Sequence, residues 1–131
     1  MFEKITCFLP QLKEGQYGKT VVFRVKGGRR KYVEYSRVVQ DFESAVFRFV
    51  DEHPEMRLTD YYGILREAGV RPDSASLKDA DASAYDGRTV MALIVGSIRA
   101  ERFCDGALLG SFESGCIRKW LERLAEIDSA G

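Results

Sequence analysis

The chain is short of the residues on which most reactive sites are built. Among 131 residues there is a single histidine, His53, and there are three cysteines, Cys7, Cys104 and Cys116. One imidazole rules out most His-rich metal centres, and an odd number of cysteines without ligand spacing fits neither a zinc pattern nor a closed disulfide framework. Free thiols in a reducing cytoplasm are the expectation. Excess charge is lacking too. Twenty basic and twenty acidic residues cancel, so no global field draws the chain to nucleic acid or anionic lipid. The longest apolar run, Val90–Ile98, is roughly half of what a membrane span requires. The start, Met1-Phe2-Glu3-Lys4, has no leader-like apolar segment. P-loop, dinucleotide, HExxH and nucleophile-elbow patterns are all missing. No metal, cofactor or membrane partner is expected.

What is present is the composition of one ordinary globular domain spanning residues 1–131, with 45% hydrophobic and 31% charged residues. Its organising stretch is Asp86–Gly106. An apolar run of this length without proline fits a helix better than a strand, because strands usually stop after about six residues. Asp86 is the expected N-cap and Gly106 the expected C′ residue. Apolar on nearly every side, this helix (about 86–104) belongs in the middle of the fold.

Around it, helical spacing of Phe2, Ile5, Phe8, Leu9 and Leu12 predicts a short helix over 2–13, disturbed by Pro10, before breaks at Gly15 and Gly18. Lys19–Val25 and Lys31–Tyr35 flank a Gly27-Gly28 step and read as a β-hairpin (about 19–35). Ser36 is the expected N-cap of a strongly amphipathic helix carrying Val38, Val39, Phe42, Ala45, Val46, Phe49 and Val50. That helix ends at His53, read as a helix-terminal cation, and Pro54 stops it. Thr59 is expected to cap a shorter helix ending at Gly69. Val70–Tyr85, with Pro72, reads as a long polar connection. A helical turn or two at Ala107–Phe112 precedes a final helix with Ile117, Trp120, Leu121, Leu124 and Ile127 inward, frayed at Ser129-Ala130-Gly131. The fold class expected is α+β, mainly α, with five or six helices around the central one and a single hairpin.

Three places carry enough chemistry to be weighed. The block Arg99–Asp105 sets Glu101 on the helical row of Val90, Ile94 and Ser97, and Arg102 on that of Met91, Val95 and Ile98. Arg102 with Arg99 can grip a carboxylate or other anion while Glu101 or Asp105 orients it. The plainer reading is that these charges satisfy the helix end, cap the next turn and pair with one another. Cys104 in this block lacks an obvious base, and the helix C-terminus raises a thiol pKa, so a buried structural cysteine is expected there, as at Cys7 and Cys116. The second place is the hairpin end, where Lys26, Arg29, Arg30 and Lys31 surround two glycines. They suit a phosphate backbone or an acidic protein face, or else simply guard a sheet edge against aggregation. The third is the acidic connection Asp73, Asp79, Asp81 and Asp86. It lacks the glycine and terminal glutamate of a calcium loop at the required offsets, and helix capping and solvation account for Asp79 and Asp86.

The stretch Ala100-Glu101-Arg102-Phe103-Cys104-Asp105-Gly106, then Ala107-Leu108-Leu109, Gly115-Cys116-Ile117 and Trp120-Leu121-Glu122-Arg123-Leu124, resembles an uncharacterised family of small bacterial and archaeal proteins, a domain of unknown function. The likeness extends over most of the chain beyond residue 35 and is weaker across the hairpin. It implies a small intracellular protein of a prokaryote or a mobile element, and carries no catalytic residues with it. The function expected is a non-catalytic binding or regulatory module working by protein–protein contact, with a partner protein or a second copy joined at the hairpin edge. The alternatives are a small hydrolase or nucleotide-processing enzyme using Glu101, Arg102 and Asp105, and, less favoured, nucleic-acid contact through the hairpin.

Overall fold

Val90 to Ile98 are all buried, so this stretch of the central helix has no wet face and the neighbouring helices pack on it. In a computed structural model that describes residues 1–13, 16–71 and 73–130, this helix is α5, Gly87–Ala100. It starts at Asp86, whose carboxylate accepts the Thr89 backbone N–H at 2.9 Å. That bond holds the Asp86 carboxyl below its usual range. The first residue is glycine for a steric reason. A Cβ on Gly87 would lie 2.4 Å from the ring of Phe2, which is buried and stacked on Phe49.

The chain opens with α1 (Glu3–Thr6) and a 3-10 turn, Leu9–Gln11. A continuous helix over 2–13 does not form, because Pro10 sits at the second position of that turn and has no N–H for an α-helical bond. Gly15, expected to break the chain there, lies outside the described residues. β1 (Gly18–Val25) and β2 (Gly28–Tyr35) make an antiparallel hairpin with Gly18 opposite Tyr35 and Val25 opposite Gly28. α2 (Arg37–Glu52) buries Val39, Phe42, Val46 and Phe49. Ser36 stands at its N-cap with extended backbone, but its buried hydroxyl makes no capping bond and has no partner among the described residues. His53 ends the helix against the Phe49 ring, with Nδ1 3.0 Å from Glu55.

α3 (Tyr61–Glu67) is capped by Asp60, which accepts the Gly63 N–H, and not by Thr59, which lies in a 3-10 turn. The stretch from Val70 to Tyr85 is no plain loop. It holds α4 (Ser74–Asp79), capped by Asp73, and a 3-10 turn capped by Asp81. Leu77 of α4 is 1% exposed against the core. Pro72 is outside the described residues. α6 (Ala107–Glu113) and α7 (Cys116–Ala130) complete the chain. Ser129 and Ala130 are helical rather than frayed, and Gly131 is not among the described residues.

α5 therefore packs against α2, α3, α4, α6 and α7. With seven α-helices and one two-stranded sheet among the described residues, the molecule is α+β and mainly α. Six of these helices surround α5, within the expected five or six. No helix among the described residues is long and apolar enough to cross a membrane.

The hairpin joins this body at its base. Tyr17 is buried with its ring 5.0 Å from Phe112, and its carbonyl accepts the Ser36 N–H at 2.9 Å. From Val22 to Tyr32 every residue except Val25 is exposed.

Candidate functional site

α5 stops at Ala100, short of the expected 104, and Glu101–Gly106 form a surface turn into α6. The stop is made by Glu101 itself. One carboxylate oxygen accepts the Gly106 N–H at 3.0 Å, and the other accepts the Leu108 N–H at 3.0 Å. These donors open α6 and would otherwise lack partners, so a carboxylate here takes the place of further turns of α5. Gly106 is accordingly not the C′ residue of α5. It is the N-cap of α6 at φ +89°, the left-handed region glycine reaches without strain.

Tyr35, from the base of β2, completes the cluster. Its hydroxyl donates to Glu101 at 2.7 Å and accepts the Leu109 N–H at 3.0 Å. Burial, then the bond to Glu101, push this phenol well above its ordinary value, so it stays protonated and donating. Glu43, on α2, is half-buried beside the same charge. Burial first, and the Glu101 carboxylate second, raise its carboxyl above the usual range. The cluster thus pins the hairpin to the turn and couples both to α2. Neither Tyr35 nor Glu43 was singled out in sequence. The available signal was positional: Glu43 lies four residues after Val39 and four before Phe47, a charge on the rim of an apolar stripe.

The other members of the block point elsewhere. Arg102 is not on an α5 row, because the helix has ended; it is exposed, and among the described residues it makes no ion pair. Arg99 lies over the Phe47 ring, 4.8 Å from its centroid. Asp105 is exposed. Glu101 pairs with neither arginine, so the arginine–carboxylate grip expected from the sequence is not assembled. Cys104 and Cys7 are exposed, not buried, since one sits in the surface turn and the other just past the short α1. Cys116 is buried as expected, donating to the Lys78 carbonyl at 3.1 Å.

The turn does bring the two candidate surfaces together. Asp105, Gly106, Leu109 and Glu113 form one wall of a groove of about 200 Å³, and Thr20, Lys31, Tyr32 and Val33 of the hairpin form the other. Phe103 stands at 86% exposure in this turn, and Val22, Phe23 and Tyr32 are 60%, 41% and 46% exposed on the hairpin. Lys26, Arg29, Arg30 and Lys31 are all exposed, and among the described residues none makes an ion pair. The acidic connection divides into caps: Asp73, Asp81 and Asp86 each accept a backbone N–H that opens a helix or 3-10 turn. Among the described residues no three of His, Cys, Asp and Glu are placed to hold a metal ion.

Residues 26–130 match the model of a family of unknown function, DUF6508, and the chain belongs to that family. The match begins inside the hairpin turn, so β2 and the helices after it, to residue 130, lie within the family's span. Neither a curated protein nor a solved structure matches the chain.

Proposed function

We propose that this chain is a non-catalytic binding module of a prokaryote or mobile element, acting in the cytoplasm, that engages a protein partner through the Glu101–Gly106 turn and the groove beside it. The observation that carries this is Phe103. A phenyl ring at 86% exposure is an apolar group in water on a turn that Glu101 fixes by two backbone bonds. An exposed aromatic next to an arginine that makes no ion pair among the described residues, two positions before Asp105 of the groove wall, has the chemistry of an interface anchor. The complementary partner has an apolar pocket for the ring and a carboxylate facing Arg102. Two exposed free thiols, Cys7 and Cys104, suit a reducing compartment.

A hydrolase built on Glu101, Arg102 and Asp105 has less support. Both oxygens of Glu101 already accept hydrogen bonds, and Arg102 and Asp105 are exposed.

The test compares proteins that co-purify, after nuclease treatment, with the wild-type chain and with Phe103→Ser. The expected result is a stoichiometric protein partner that falls at least about tenfold in the variant, consistent with loss of an anchor worth 1.4 kcal/mol or more. The same partner recovered equally by both chains overturns the proposal. If the partner is a second copy, sedimentation of the pure protein shows a dimer that Phe103→Ser dissociates.

A further inference from the structure

The zero net charge of this protein conceals a strong separation. Between Val22 and Tyr32 lie Arg24, Lys26, Arg29, Arg30 and Lys31 and no acidic residue, which leaves fifteen cations against twenty anions on the rest of the chain. The hairpin therefore carries +5 on an arm that projects from a body of −5. We propose that this outer half of the hairpin is a nucleic-acid contact, a basic ribbon that enters a groove of a duplex with its cations on the phosphates.

Three features of the arm favour that occupant. First, the cations are unrelieved. The register sets Arg24 opposite Arg29, a like-charge pair that works against the hairpin, and among the described residues no carboxylate comes within ion-pair distance of any of the five. Phosphates supply the missing counter-charge. Second, the charge is on both faces. Side-chain alternation places Arg24, Arg29 and Lys31 on one face and Arg30 on the other, beside Phe23 and Tyr32. A flat acidic protein surface meets one face only, whereas a groove presents phosphates along two walls. Third, the shape fits. Two strands about 5 Å apart are narrower than the roughly 12 Å major groove, which admits a two-stranded ribbon. The acidic body limits the approach to this arm, since the remainder of the molecule repels a polyanion. Pairing of two arms edge to edge is opposed by the same charges that favour phosphate.

The arm borders the groove beside the Glu101–Gly106 turn at Lys31 and Tyr32, but Arg29 and Arg30 do not line that groove, so substitutions at Arg29 and Arg30 and at Phe103 let the two proposals fail separately. The experiment is fluorescence anisotropy of a labelled, mixed-sequence DNA duplex titrated with the full chain at several salt concentrations. The expected result is binding whose logarithm falls with log salt at a slope of about −3 to −4.5, as three to five phosphate contacts require. Arg29→Ser with Arg30→Ser should weaken binding at low salt at least about tenfold and flatten the slope by about two. Arg48→Ser with Arg66→Ser, on the body, and Phe103→Ser should leave it unchanged. Circular dichroism shows that each variant is folded. Absence of binding at low salt, binding indifferent to Arg29 and Arg30, or a preference for the single strand or for polyglutamate over the duplex each overturns the proposal.

Discussion

The segment from Arg99 to Asp105 holds two arginines, a glutamate and an aspartate; the segment from Arg24 to Lys31 holds five cations. In sequence both are dense knots of charge closing an apolar run. In the fold they are opposites. Glu101 turns inward and satisfies two backbone N–H groups and the Tyr35 hydroxyl, whereas the hairpin cations face water and, among the described residues, make no ion pair. The difference lies in what surrounds each knot. A helix end followed at once by a second helix offers orphan donors, and a carboxylate there is drawn into the structure. A two-stranded ribbon satisfies its backbone across the hairpin, so its side chains have nothing internal to do and stay available to a partner.

The comparison breaks first at Glu101 if the inward role is wrong. Glu101→Ala leaves the Gly106 and Leu108 N–H groups and the Tyr35 hydroxyl short of an acceptor, and hydrogen bonds to a charged group contribute about 1.5–3 kcal/mol each when lost in a part-buried setting. Because the three share one carboxylate, their losses do not add fully. The expected destabilisation is about 3 kcal/mol in chemical denaturation, with Glu101→Gln closer to about 1 kcal/mol. A change under about 0.5 kcal/mol means that the turn holds itself.

Glu43 gives a smaller effect of opposite sign. Its folded-state pKa is raised above the ordinary 4.5, by burial and then by Glu101. The folded protein therefore holds that proton more tightly than the unfolded chain. The stability this provides is full below the ordinary value and is lost as pH rises through the folded-state one. At pH 7 the residue is a charge disfavoured where it sits. Glu43→Gln should raise Tm at pH 7 by about 1–3 °C, allowing for partial exposure of the group. The gain should vanish near pH 4. A Tm that falls at pH 7 shows that Glu43 has a favourable partner.

How much of this was legible depended on whether the deciding contacts are local. The caps at Asp86 and Gly69, the α2 stripe and the hairpin follow from near neighbours, and each is where spacing puts it. α4 was missed because it presents one buried apolar side chain, Leu77, and periodicity needs several; the useful signal was Asp73 three residues before Ser76. The end of α5 was misplaced because nothing within the helix stops it. The stop is a bond from Glu101 to α6, reinforced by Tyr35 from 66 residues earlier. Phe103 and the exposed Cys104 went unseen for the same reason: apolar residues after a greasy helix read as more core until the helix is known to end.

The least disruptive test is also the one that separates the two knots most cleanly. Arg29→Ser with Arg30→Ser removes two cations that touch no carboxylate among the described residues and takes one arginine from the Arg24–Arg29 pair. Surface changes of this kind usually stay within about 0.5 kcal/mol, and relief of a like-charge cross-strand pair acts in the stabilising direction. Denaturation of the double variant should therefore match the wild type or exceed it slightly, where Glu101→Ala loses several kcal/mol. A loss above about 1 kcal/mol would place these arginines among the groups that hold the fold, and the hairpin would then differ from the α5 turn only in exposure, not in the direction in which its charge works.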